Sequence, residues 1–191
     1  MGTLVEDLKE VQSIDDFYKV THEHGYYSRA DMCYCFILFW DSIYNKEALY
    51  EIYKTVLTDN ESREYYNQLI KPCIVEEVRK YNHTDTVDNE ELTSLLDENG
   101  YITVYHGHCK KTLRGSYSWT TDCDTAKWFG SRHALFSHSE QYYVVTGKVK
   151  LTDIITYITD RNEREVLVKP ADVKDKKKEY FSAAERVERP E

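Results

Sequence analysis

The chain has 191 residues, 41% of them hydrophobic, with 34 acidic against 25 basic side chains and a formal charge of −9. That length suits one domain or a tight two-lobed unit, and the acidic balance argues against tight binding along a nucleic-acid backbone, which needs a basic footprint. No N-terminal run reads as a signal peptide, the longest apolar stretch (Met32 to Trp40) is too short to span a bilayer, and five cysteines without an export signal point to reduced thiols, so a cytoplasmic location away from membranes is expected.

Ser13 stands before Ile14-Asp15-Asp16-Phe17, a cap with acids in the first turn, and Gly25 can end that helix. Ser28 caps a second helix running through Met32, Cys33, Phe36, Ile37 and Trp40 toward Ile43. Its apolar positions nearly encircle it, which predicts a central buried helix. From Lys46, the residues Leu49, Ile52, Tyr53, Val56 and Leu57 recur with helical spacing. Asn60 opens a further segment through Tyr65, Tyr66, Leu69 and Ile70, and Pro72 kinks or breaks it before Val75–Tyr81. Asn82 to Asp88 reads as a polar loop. A short helix, Glu90–Glu98, follows Asp88-Asn89 and closes at Asn99-Gly100.

The period changes near Gly100. Tyr101-Ile102-Thr103-Val104-Tyr105 is β-branched and aromatic, a good strand, and Gly115 to Thr121 reads as a second. Asp122 or Asp124 caps a short helix carrying Ala126, Trp128 and Phe129, stopped by Gly130, and Ser131–Glu140 with His133 and His138 reads as a mobile polar loop facing the substrate. Tyr142–Thr146, Lys148–Leu151, Ile154–Ile158 and Val166–Val168 read as strands, and Pro170 ends the last. The charged run from Lys174 to Glu191 reads as a frayed helix or extended arm. The expected fold class is α+β: a helical lobe over residues 1–99 packed on a mainly antiparallel β core over 100–173, with a charged tail at 174–191. About 70 residues of β-rich chain make a thin core alone, hence the packing.

Three strings in the β half fit one chemistry: Tyr105-His106-Gly107, Ser118-Trp119-Thr120 and Glu163-Arg164-Glu165. Together they suit cleavage of the nicotinamide–ribose bond of NAD. Departure of nicotinamide leaves an oxocarbenium-like ribose, so a catalyst must place negative charge near it and hold the dinucleotide bent. A glutamate at a rigid strand end supplies the charge. A glycine lets backbone groups grip the carboxamide, and a neighbouring histidine can hydrogen-bond a ribose hydroxyl. Ser118 and Thr120, two apart on a strand, share a face, as do Glu163 and Glu165, about 7 Å apart if extended.

Val104-Tyr105-His106-Gly107 resembles the first motif of the histidine branch of the ADP-ribosyltransferase superfamily, the branch of diphtheria toxin and the poly-ADP-ribose polymerases. Ser118-Trp119-Thr120 is similar to the family's S-T-S motif, and Tyr117 to Asp122 followed by Ala126 also resembles the tyrosine motif and helix of the histidine branch. Glu163-Arg164-Glu165-Val166-Leu167-Val168-Lys169-Pro170 resembles the E-x-E strand of the arginine branch. The match covers residues 101–172 and is a hybrid of two branches, which leaves the acceptor open. It implies a split, mainly antiparallel β core of ADP-ribosyltransferase type, preceded by a helical lobe that helps close over NAD. It also implies a mono-ADP-ribosyltransferase with NAD as co-substrate. Glu165 is then the catalytic glutamate, Glu163 directs the acceptor, and His106 orients NAD. Tyr105, Gly107, Tyr117, Ser118 and Thr120 complete the binding site. The expected partner is a target macromolecule, a protein in preference to nucleic acid, as for a phage or bacterial effector in a host cytoplasm.

Plainer readings stand beside these. His106 can be a turn histidine, Ser118 and Thr120 ordinary strand residues, and Glu163 and Glu165 a solvated acidic pair. Tyr117 and Trp119 can stack on a ring or serve as core, and Trp128 and Phe129 read as helix-to-sheet packing. His22-x-His24, Cys33-x-Cys35 and His106-x-His108-Cys109 raise the question of metal, but Cys33 and Cys35 fall on a helix, where such positions diverge, and no C-x-x-C or H-x-x-x-H pair occurs, so no metal site is expected. No cysteine stands in an activated setting for a hydrolase. Two other functions remain as alternatives: a non-catalytic binding or inhibitor protein of the same fold, and an NAD glycohydrolase with water as acceptor.

Overall fold

The computed structural model describes residues 2–59, 62–109, 117–159, 163–184 and 187–190. The chain divides into two compact units, Met1–Asn82 and His83–Glu191. The division falls at 82/83 rather than at the expected 99/100. Leu92 explains the difference, because it is buried in the core of the second unit.

The first unit is helical. α1 (Leu4–Lys9) starts at a Thr3–Glu6 capping box and α2 (Ile14–Glu23) at Ser13, whose hydroxyl accepts from the Asp16 amide. α3 (Arg29–Phe39) has a Ser28–Asp31 capping box and runs into a 3-10 turn at Trp40–Ser42. α4 (Lys46–Thr58) is capped by Asn45, α5 (Arg63–Leu69) by Ser62, and α6 (Pro72–Val78) begins with its proline in the first turn. Asn60, the expected cap of α5, lies outside the described residues. Pro72 opens a helix rather than kinking one, since its missing N–H is not needed there.

The most buried helix is α4, not α3. Seven α4 residues from Ala48 to Leu57 are buried. On α3, Met32, Cys33, Cys35 and Phe36 are buried while Tyr34 and Leu38 stay 46% and 47% exposed. An apolar circumference is buried only where neighbours cover it, and α3 is covered on one side. Phe36 sits between Phe17 and Tyr53, at ring separations of 6.5 and 6.1 Å, and ties α2, α3 and α4 together.

Among the described residues, the second unit is a sheet with two α-helices. α7 is Glu90–Ser94, shorter than expected, and Asp97 then accepts from the amides of Asn99 and Tyr101 and pairs with Lys148 at 2.5 Å. The strands are β1 (Tyr101–His108), β2 (Ser118–Thr120), β3 (Gln141–Lys150), β4 (Ile154–Ile158), β5 (Glu165–Val168) and β6 (Lys174–Ser182). α8 (Cys123–Phe136) lies between β2 and β3 in sequence. Gly115 and Ser116, expected in the second strand, lie outside the described residues.

The sheet order is β4-β5-β2-β1-β3-β6, with every neighbouring pair antiparallel. One face carries Ile102, Val104, Trp119, Tyr157, Val166 and Val168 against Leu92 of α7. The other carries Tyr105, Tyr142 and Val144 against Ala126 and Ala134 of α8. The run from Lys174 is neither a frayed helix nor a free arm: residues 174–182 form β6, paired with β3. Its lysines and acids cover an exposed edge, a device that discourages further strands from adding.

Gly130 does not stop α8. The helix runs six residues further, and the missing side chain makes room for Tyr142, whose ring would lie 2.5 Å from a Cβ there. Gly107 does the same from β1. A Cβ on it would fall 1.7 Å from the Ala126 carbonyl oxygen, so its glycine is what lets helix and strand touch.

Among the described residues, β1 and β2 share a single registered pair, Tyr105 with Thr120. The sheet thus consists of two three-stranded ladders, β4-β5-β2 and β1-β3-β6, joined at a narrow seam. No described helix is long and apolar enough to cross a membrane.

Candidate functional site

The three motif strands are immediate neighbours, in the order β1-β2-β5, although β3 and β4 separate them in sequence. Register places Tyr105 opposite Thr120 and Thr120 opposite Glu165. Paired residues share a face of a sheet, so these three side chains form one row across the seam, on the α8 side. Ser118, two residues from Thr120, is on the same face, as expected.

His106 lies outside that row. Trp119 pairs with Val166, and the pleat places His106 with them on the opposite face. The His106 ring lies 5.6 Å from Trp119 and stacks with His108 at 6.1 Å. Yet His133, on α8, reaches to 4.7 Å from His108. Groups belonging to both sides of the sheet therefore meet around this end of β1.

The chemistry of His106 follows from its hydrogen bond to Ser118. Nδ1 stands 3.0 Å from the Ser118 carbonyl oxygen. A carbonyl can only accept, so Nδ1 carries the proton and donates, and Nε2 is left with a lone pair. Nε2 is buried and has no partner among the described residues. Burial lowers the ring to about 4, against the Ser118 bond and with help from the nearby His133, so His106 is neutral near pH 7. A buried acceptor without a donor is costly, and a ligand hydroxyl or amide N–H would satisfy it.

The two glutamates do not share an extended strand. β5 begins at Glu165, and Arg164 has φ 44°, in the left-handed region. That turn takes Glu163 out of the alternation on which the same-face expectation rested. Arg164 is held there by its amide plane and by charge: its carbonyl accepts from the Thr121 amide at 3.1 Å, and its Nε lies 3.1 Å from Glu91 Oε1 on α7. The carboxylate of Glu163 accepts from Nη2 of Arg189 at 3.2 Å.

The other expected residues are placed as follows. The Thr120 hydroxyl donates to the Glu163 carbonyl at 2.8 Å and accepts from the Asp122 amide at 3.1 Å, pinning the 163–165 turn to the start of α8. Tyr105 is half-buried against the α8 cluster, and burial raises its hydroxyl pKa. Gly107 faces α8 with its missing side chain. Tyr117 precedes β2, and its carbonyl accepts from the Val168 amide at 2.9 Å. Trp119 belongs to the core.

Sequence reasoning missed Arg189 and Glu91, and it read His133 as part of a polar loop facing the substrate, whereas His133 stands on α8. Arg189 lies in a charged run without period, and the roles of the others appear only once α7 and α8 are docked. All five cysteines are free thiols, and burial pushes Cys33 and Cys35 up to about 11 and about 12, which makes them poor nucleophiles. Among the described residues, no three His, Cys, Asp or Glu side chains are grouped to hold a metal ion. The second unit is thus an α+β domain with an open antiparallel sheet and a cluster of polar residues at its seam. No family model, curated protein or solved structure matches the chain.

Proposed function

We propose that this chain is an NAD-dependent mono-ADP-ribosyltransferase of the ADP-ribosyltransferase fold, with its site at the β1–β2 seam. The observation that carries the reading is the adjacency of β1, β2 and β5, which collects three motifs separated by up to 60 residues into one patch, with Tyr105, Thr120 and Glu165 in a single row. Glu165 faces the positive charge that develops on the ribose as the bond from C1′ to nicotinamide breaks. The electron pair leaves on the nicotinamide nitrogen, the acceptor bonds to C1′, and the acceptor's proton passes to Glu163 or to solvent. Nε2 of His106, on the face of the sheet opposite to Glu165, accepts a hydrogen bond from the part of the co-substrate that passes round the end of β1, a ribose hydroxyl or the carboxamide. Backbone groups at Gly107 grip the carboxamide while its open face seats α8.

One observation favours a second reading, a binding protein of the same fold: the Thr120 hydroxyl is already committed to the backbone of Glu163 and Asp122. Incubation with NAD labelled in the adenylate portion, alone and with a cell lysate, separates the readings. Labelled macromolecules together with free nicotinamide support transfer. Nicotinamide without label means that water is the acceptor. NAD binding with neither product leaves the binding protein.

A further inference from the structure

β6 forms one rim of the sheet, and its outer edge is open. Residues 174–180 are all exposed, and among the described residues no strand pairs with β6 on the side away from β3. The Ala183 amide donates to the Glu140 carbonyl, just before β3, at 2.9 Å. Backbone groups alternate sides along an antiparallel strand, so Phe181, Glu179 and Lys177 bond to β3 while Ser182, Tyr180, Lys178 and Lys176 turn their N–H and C=O groups outward. Those four outward residues also share a face of the sheet, the one on which Tyr180 pairs with Tyr143. They include two lysines and no acid, whereas Lys177, Glu179 and Phe181 on the other face are mixed.

The two lysine charges are open to a partner. Lys176 Nζ donates to the Pro170 carbonyl, and the Lys178 ammonium lies 3.9 Å from the centre of the Tyr143 ring. Among the described residues neither ammonium is paired with a carboxylate. Tyr180 beside them is 59% exposed. One open ring is too little for a run of stacked bases, and outward backbone donors and acceptors suit an amide chain. Lysines on an edge bar a neutral or basic strand, and a second copy of β6 brings no acid on its own outward residues. An acidic strand meets no such bar.

We propose that the outer edge of β6 is a docking site for an extended acidic segment of a partner protein, added as a further antiparallel strand. Alternation sets the sequence it takes: acids opposite Lys178 and Lys176, with one residue between them, and a β-branched residue opposite Tyr180. Main-chain bonds supply the affinity, and the two ion pairs select the partner. The site uses no residue of the β1–β2 seam, so it stands whether or not the chain turns over NAD.

The probe is the peptide Thr-Val-Thr-Glu-Thr-Glu-Thr, dye-labelled at its N-terminus and amidated at its C-terminus. It is titrated with the full chain and followed by fluorescence anisotropy. Its valine then meets Tyr180, and its glutamates meet Lys178 and Lys176. Binding saturates and weakens with salt. Lysine in place of both glutamates abolishes it. Lys176→Gln combined with Lys178→Gln weakens it by roughly two- to thirtyfold, the range that two cross-strand charge pairs span. N-methylation of the two glutamates removes N–H groups aimed at β6 and abolishes binding. N-methylation of the threonine between them, whose N–H points away, leaves affinity within about twofold. No binding, an equal effect of the two N-methylations, or equal binding of the lysine peptide overturns the proposal. So does a decathymidylate that binds as tightly as the peptide, because the edge is then only a patch for polyanions. Thermal melting checks the folding of the double variant, and the altered peptides test the edge on the unaltered chain.

Discussion

His106 joins a structural cost to a function. Its Nδ1 proton is fixed by the Ser118 carbonyl, and its ring titrates at about 4 where an unfolded histidine titrates at 6.5. Between those values the unfolded chain binds more protons than the folded one, so stability falls as pH falls. The contribution is whole above pH 6.5 and is lost by about pH 4. Its size is on the order of 3 kcal/mol from the shift. Urea unfolding of the wild type at several pH values will show that loss, and His106→Gln will flatten it. An identical slope in both would mean that the ring is solvated. In the same range Nε2 gains a proton and ceases to accept, so NAD affinity will fall in parallel if the ring holds the co-substrate. Glu165 is the other decisive residue. Glu165→Gln removes a charge that matters most in the transition state, so release of nicotinamide will fall by about 10²–10³. Calorimetry will show NAD still bound. Rates within a few-fold of wild type would take Glu165 out of the catalytic role.

At the scale of elements, the contact of β1 with α8 is set by two glycines of unequal tolerance. Gly107→Ala drives a Cβ into the backbone of Ala126 and Gly130, which can yield only if the helix lifts. Its cost will be about 3 kcal/mol or more. Gly130→Ala meets the Tyr142 side chain, which can swing, and gains about 1 kcal/mol of helix propensity, so its net cost will be smaller. Chemical denaturation of the two variants gives the order, and the reverse order would place the close approach elsewhere. Caps and strong periods were legible in the sequence: Ser13, Ser28 and Asp122 begin helices, and Tyr101–Tyr105 lies in a strand. What stayed hidden has physical reasons. A glycine that serves a close approach looks like a helix terminator, as at Gly130. An edge strand of lysines has no apolar alternation to betray it, as at β6. The left-handed turn at Arg164 leaves no mark in composition, and the faces of His106 and Glu165 depend on a register that no single strand contains.

For the whole molecule, the boundary at 82/83 makes α7 and the Asp97 turn parts of the sheet unit. A fragment of residues 83–191 keeps Leu92 under the sheet and the Asp97–Lys148 pair. One of residues 100–191 loses both, a cost at least comparable to a buried leucine truncation, about 2–5 kcal/mol. The longer fragment will melt cooperatively and the shorter one will melt lower or not fold, as followed by circular dichroism. Equal melting would return the boundary to Gly100. The seam has a consequence for how the sheet comes apart. A sheet unfolds as one unit only if its ladders are firmly coupled, and here Tyr105 and Thr120 form the single described register between them. In native-state hydrogen exchange under mild denaturant, the amides of β2 and β5 will therefore open at lower free energy than those along the eight-pair β1–β3 ladder. A ligand that grips both sides of the seam will raise the weaker set toward the stronger, so binding will register as cooperativity restored between two halves of one sheet.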